Sequence, residues 1–262
     1  MFSAETEIKI ESLEHEWQAL VSGDDLPQAR ETTAEVNEQL KKVGSKGITP
    51  ANAPGIIIEP AVDRVRRRMD ERYVQREYAM SLADFEQFGE AYLGRQEVDR
   101  ARYDMRGHRV RADVIFIGYF GPAFALYRYC GDEHRVIREP HFAVVGSGSI
   151  IALANLFQRN QRFISRLDQS LYVVYESQQL GQKAPGVGKE ISLFVLRPGA
   201  NEDGMESVLI GDPGLGALEE AFKRFGPQRI VSTELPSRQT LNLDEFSSSS
   251  EPLAENPSGG SS

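Results

Sequence analysis

One cysteine, Cys130, and one tryptophan, Trp17, are all that 262 residues contain of those two types. A single thiol excludes an internal disulfide and any zinc site built on several cysteines, and a chain without a disulfide framework suits a reducing compartment. Positive charge is also scarce: 30 Lys and Arg stand against 39 Asp and Glu, for a net charge of −9 and an acidic pI near 5.1. A protein that neutralises phosphates needs a clustered basic surface, so a dedicated nucleic-acid binder is not expected. No stretch approaches the roughly 18 apolar residues of a membrane helix. The opening Met1-Phe2-Ser3-Ala4-Glu5-Thr6-Glu7 has neither the basic nor the apolar region of a secretory signal. The four histidines, His15, His108, His134 and His141, show no metal-ligand spacing, so neither a metal nor another cofactor is expected. What remains is ample apolar material, 40% of the chain, and the expectation of a soluble, globular, cytoplasmic protein with no membrane partner.

The order of elements is legible from periodicity. Ile8 and Ile10 alternate with polar neighbours, and after a polar corner at Glu14-His15-Glu16 so do Trp17, Ala19 and Val21, which predicts a hairpin. Asp25 suits the cap of a helix running to about Val43, with Ala29, Thr33, Val36 and Leu40 on one side. The segment from Thr49 to Gly55 reads as a loop, followed by a helix from about Ile58 to Tyr78. That helix carries Arg64, Arg66, Arg67, Arg68, Arg72 and Arg76 among Asp63, Asp70, Glu71 and Glu77, several at helical pairing distance. A solvated or subunit-facing helix is expected there. Ser81-Leu82-Ala83-Asp84 opens another helix as a capping box, with Phe85, Phe88, Tyr92 and Val98 on its apolar side. Strands are expected at Val114 to Phe120, Pro122 to Cys130 and Val136 to Val145. The first is a nearly unbroken apolar run, as for a strand covered on both faces. Gly146-Ser147-Gly148-Ser149 leads into a helix through Phe157, and a capping box at Ser165 and Asp168 into the next, with Leu167, Leu171, Val174 and Tyr175 on one face. A strand pair at Ile191 to Leu196 and Glu206 to Ile210 then precedes a helix capped by Asp212 with Pro213 at its first position. Beyond Pro236 the Ser, Pro and Gly-rich tail, 236–262, is expected to be disordered.

Three motifs belong together. Glu7-Ile8-Lys9-Ile10 precedes Trp17-Gln18-Ala19-Leu20-Val21-Ser22-Gly23-Asp24-Asp25, with Lys9 and Gly23 fourteen positions apart. Further on come Ala143-Val144-Val145-Gly146-Ser147-Gly148-Ser149 and then Gly186-Val187-Gly188 before Ile191-Ser192-Leu193-Phe194-Val195-Leu196. Over residues 5 to 220 or so this pattern resembles the proteasome-type N-terminal-nucleophile (Ntn) hydrolases, including the spacing of that family's active-site lysine and oxyanion-hole glycine. The resemblance implies an α+β, four-layer αββα sandwich over 1–235, with a helical insert at about 45–105. It also implies amide hydrolysis of a peptide or protein by an amino-terminal Thr, Ser or Cys whose own amine is the general base. Lys9 takes the lysine position, Gly23 the oxyanion position, and Ser147 that of the serine near the nucleophile's amine. Read singly, Lys9 is an exposed strand lysine, Gly23 a turn glycine and Ser147 a loop serine before a helix.

The chain departs from the family at its front. There the nucleophile and a supporting aspartate precede the lysine by more than the eight residues before Lys9, and neither Ser3 nor Thr6 stands at the required place. The fold is therefore expected to be N-terminally incomplete, without its first two strands, and the chain inactive as it stands. The alternative is a non-catalytic structural subunit of a proteasome-like ring or partner assembly, so a homo-oligomer or ring partners are expected in either case. Cys130 reads as a strand-core thiol rather than a nucleophile. Gly146 to Ser149 lacks the Lys-Ser/Thr of a P-loop, which leaves a phosphate cradle as the weaker reading.

Overall fold

The computed structural model describes residues 10–22, 26–108, 110, 113–121, 123–131, 133, 135–162, 164–185, 187–198 and 205–226. The chain is α+β with antiparallel sheets. Strands β1 (Ile10–Ser12), β2 (Gln18–Ser22), β3 (Asp113–Phe120), β4 (Ala123–Cys130) and β5 (Arg135–Glu139) form one five-stranded sheet in the order β1-β2-β3-β4-β5. Every neighbour is antiparallel, with Ala19 opposite Phe116 and Phe116 opposite Tyr127. The expected Asp25 cap and the expected tail, 236–262, lie outside the described residues.

Side chains alternate across a strand, so this register sorts the sheet into two faces. One carries Trp17, Ala19, Val21, Val114, Phe116, Tyr127 and Tyr129, all buried in a core shared with helices α1 (Leu26–Val43) and α2 (Glu59–Tyr78). Trp17 stacks on Tyr127 at 5.7 Å and meets Phe120 edge-on. Gly118 makes room for it, since a Cβ there would come within 2.8 Å of the indole and 2.7 Å of the Phe120 ring. The opposite face carries Ile10, Leu20, Ile115, Ile117, Leu126 and Ile137, of which Ile115 is buried and the others half-buried. The unbroken apolar run of β3 is thus apolar toward both sides.

Several expected boundaries move, each for a local reason. Pro54 and Gly55 belong to a π-helical turn, Pro54–Ile58, continuous with α2. Proline costs nothing at a first turn whose N–H has no helical partner, so it opens this helix instead of preceding it. The capping box at Ser81 forms, with Ser81 Oγ accepting from the Asp84 N–H at 3.1 Å. The helix it opens ends early: Gly94, at φ 82°, divides α3 (Leu82–Leu93) from α4 (Arg95–Arg106), and Phe88 and Tyr92 are exposed. Strand β5 stops at Glu139, and residues 140–148 run as loop and turn. Around α6 (Leu167–Gly181) the expected box is replaced: Ser165 Oγ accepts from the Arg162 N–H, Asp168 pairs with Arg166, and Val174 is exposed. Strand β6 (Phe194–Pro198) starts three residues later than expected and pairs with β7 (Met205–Leu209). The cap of α7 (Asp212–Phe225) is Gly211 rather than Asp212.

The arginine-rich helix gains its partners from across an interface. Arg64 Nε donates to Glu35 at 2.6 Å, Arg68 bridges Glu31 at 2.7 Å and Glu35 at 2.5 Å, and Arg72 reaches Glu31 at 3.0 Å. The expected pairing along α2 gives way to this ladder between α1 and α2, and among the described residues it is Arg76 that pairs within its own helix, with Glu77. Burial works to raise the Glu35 pKa, but hydrogen bonds and charge from Arg64 and Arg68 outweigh it and hold the carboxyl below its ordinary 4.5. A carboxylate with a depressed folded pKa stabilises the fold fully above its unfolded value and loses that contribution as pH falls through the folded one. Urea unfolding midpoints are therefore expected to fall more steeply for the parent than for Glu35→Gln as the pH drops below 4.5. Parallel curves would show that the ladder contributes nothing.

A second core joins α5 (Ser149–Gln158), α6, the β6–β7 hairpin and α7 through Leu156, Leu171, Tyr172, Tyr175, Leu193, Val195, Ile210 and Leu218. A third, smaller core under α3 and α4 centres on Val74, Phe85 and Val98.

Candidate functional site

The candidate residues derive from three places in the chain, and the structure describes one of them. Lys9 and Gly23 lie outside the described residues. Their neighbours are described: Ile10 sits in β1 opposite Leu20, and Ser22 ends β2 opposite Asp113. Ser147 is exposed, in the turn that leads into α5. Because β5 ends at Glu139, this turn follows a loop and not the strand expected through Val145.

The turn is held by two close approaches of backbone. Gly146 adopts φ 98°, a conformation L side chains rarely take, and a Cβ on it would lie 2.8 Å from Ser22 Oγ. The Gly-Ser-Gly turn therefore rests on the end of β2, one peptide bond from Gly23. Gly148 lies against the last turn of α6, where a Cβ would come 2.7 Å from the carbonyl oxygen of Gly181 and 3.1 Å from its Cα. The partner is backbone, which cannot rotate aside. Gly148→Ala is expected to cost about 1–3 kcal/mol as overpacking. Gly181→Ala should cost less, because its nearest contact is an ordinary 3.4 Å. Thermal denaturation of the two variants checks this order, and equal losses would contradict the crossing.

Beneath the turn, α5 and α6 are locked by a buried ion pair. Glu176 is fully buried and takes Arg159 Nε at 2.7 Å and Nη2 at 2.5 Å. The Asn155 amide donates to Glu176 at 3.2 Å and to Ser177 Oγ at 3.0 Å. The hydrogen bonds to Glu176 raise the Arg159 pKa further above its ordinary value, so the guanidinium remains charged. Arg159 and Tyr172 also donate to the carbonyl of Gly226, which ties the end of α7 to the same point. The signal for these residues in the sequence is weak, since Asn155 and Glu176 stand on two separate helices that only packing brings together, and Ser22 reads as the polar end of an alternating strand.

Among the described residues no group of three or more His, Cys, Asp or Glu is placed to hold a metal ion, and no helix is long and apolar enough to cross a membrane. Cys130 is half-buried at the end of β4, opposite Asp113 and Arg135. An open basin of about 580 Å³ lies at the α3–α4 corner, lined by Leu93, Gly94, Arg95, Gln96, Glu97 and Arg100. None of its lining belongs to the strand ends or to the Gly-Ser-Gly turn. The turn and the end of β2 meet at a polar corner made by Gly146 and Ser22, with Ser147 exposed beside it. Compared with protein-family models and with curated proteins, the chain matches none.

Proposed function

We propose that the chain is the body of a proteasome-type Ntn amide hydrolase subunit, with a four-layer αββα arrangement, cytoplasmic and assembling with copies of itself or with ring partners. In this reading Lys9 holds a terminal amine unprotonated and favours the attacking oxygen by its charge. The Gly23 N–H stabilises the oxyanion, and Ser147 hydrogen-bonds near the amine. The substrate class is a peptide or protein amide. The nucleophile is a terminal Thr, Ser or Cys, a position that neither Ser3 nor Thr6 fills.

The observation that carries this reading is the seat of Gly146 on Ser22. Two motifs separated by more than a hundred residues, chosen from sequence as parts of one site, have adjoining neighbours in space. Further support comes from layering. A helix pair covers one face of the five-stranded sheet, while the other face carries the buried Ile115 and half-buried Ile10, Leu20, Ile117, Leu126 and Ile137 beside the Arg128–Glu139 ion pair, which leaves apolar area for a second layer to cover. A second helix pair, a hairpin and a closing helix follow in the order that sequence periodicity predicts.

The test sequences the coding DNA upstream of Met1 and assays the longest in-frame product, beside the 262-residue chain, against a panel of peptide amides. Hydrolysis is expected from a product whose mature end is Thr, Ser or Cys, is abolished by Lys9→Ala, and is absent from the 262-residue chain. Turnover by the 262-residue chain would overturn the assigned chemistry. An upstream frame with no Thr, Ser or Cys would remove the peptidase and leave a structural subunit.

A further inference from the structure

Helix α5 has the composition of a buried helix and the position of a surface one. Its ten residues, Ser-Ile-Ile-Ala-Leu-Ala-Asn-Leu-Phe-Gln, include no charge. Ala152, Asn155 and Leu156 face inward and are buried. On the opposite side, at helical spacing, Ile150 is 81% exposed, Leu153 38% and Phe157 67%, and beyond the helix Ile164 is 72% exposed. A helix apolar all round is normally covered all round.

Two facts point to what covers it. The described chain leaves α7 at Gly226, whose carbonyl is held by Arg159 Nη2 at 3.4 Å and Tyr172 Oη at 3.1 Å. Arg159 is the residue directly after α5, and it follows Ala152, Asn155 and Leu156 on the buried side, so the chain exits at the C-terminal end of this helix, around the helix from the exposed stripe. A further 36 residues follow, among them Leu241, Leu243 and Phe246 around Asp244 and Glu245. The fifteen residues between Gly226 and Leu241 span up to about 50 Å when extended, and α5 is only about 15 Å long. The loop beyond α5 carries Arg162 and Arg166, the latter 65% exposed although paired with Asp168, and these complement the two acids.

We propose that residues 241–246 of the same chain dock on α5, with Leu241, Leu243 and Phe246 over Ile150, Leu153 and Phe157, and with Asp244 and Glu245 toward Arg162 and Arg166. The assignment is independent of the hydrolase reading.

Hydrogen exchange of the α5 amides tests it, with the full chain compared to the full chain carrying Leu243→Asp and Phe246→Asp, each at two protein concentrations. The substitutions lie far along the chain from every described core, so the fold survives them. Exchange over 149–158 is expected to quicken by about fivefold or more in the variant, equally at both concentrations. Phe157→Asp is expected to quicken exchange over 241–246 in return. Equal rates in parent and variant would overturn the docking. Protection of α5 that rises with concentration and ignores the tail substitutions would also overturn it and assign the stripe to a second copy of the chain.

Discussion

Truncating Trp17 to alanine is expected to lower the unfolding free energy by about 3–5 kcal/mol, as for other large aromatic deletions in cores. The indole is 1% exposed, stacked on Tyr127, met edge-on by Phe120 and seated over Gly118, so the cavity left by its removal is lined by rigid neighbours that cannot close it. Trp17→Phe keeps an aromatic surface over Gly118 and should recover part of the loss. The measurement is denaturant unfolding followed by circular dichroism, because the variant lacks the only tryptophan. A loss below about 1 kcal/mol would mean that the sheet does not depend on this cluster.

The second large effect belongs to Glu176. Its removal leaves the Arg159 guanidinium, whose side chain is 13% exposed, without its anion, and leaves the Asn155 amide with Ser177 as its remaining acceptor. Breaking a buried pair from one side costs about 3–5 kcal/mol, because the orphaned charge stays desolvated. Glu176→Ala is expected to show that loss. The double variant Glu176→Leu with Arg159→Met should recover much of it by replacing both charges with apolar volume. A single variant as stable as its parent would contradict the buried pair. Without Glu176 to orient it, Arg159 loses its geometry toward the Gly226 carbonyl, which is then held by Tyr172 alone, so amide exchange at the end of α7 is expected to quicken modestly in the single variant.

The elements that sequence periodicity identifies are those whose cause is local. The alternation around Trp17, Ala19 and Val21 marks β2 because each inward residue meets the same core, and Ser81 with Asp84 marks the start of α3 because both partners of the cap lie within one turn. Where the cause is distant the pattern is silent. Arg64 and Arg68 sit among acids on their own helix, yet Glu31 and Glu35 on α1 take them, since only packing decides which of two nearby carboxylates is within reach. Apolar residues at Phe142 and Val144 resemble a strand, but they pack as loop side chains on the second core, and β5 stops at Glu139. Gly94 ends a helix because its positive φ relieves a turn, whereas Pro54 begins one because its missing N–H is not needed.

The candidate site divides in the same way. Ser147 and its flanking glycines stand out in sequence because glycine on both sides of a serine before an apolar helix is an uncommon arrangement. The reason for those glycines is not local: Gly146 needs its positive φ to lie on Ser22, and Gly148 needs its bare Cα to pass Gly181. Neither contact is written in the residues near position 147.

The central claim is that the end of the first hairpin and the Gly-Ser-Gly turn form one site. Spin labels at Ser22→Cys and Ser147→Cys, in a Cys130→Ala background, measure it by the dipolar coupling between them. The account predicts a single short distance near the lower limit of the method, whereas a long or multiply peaked distribution would contradict it.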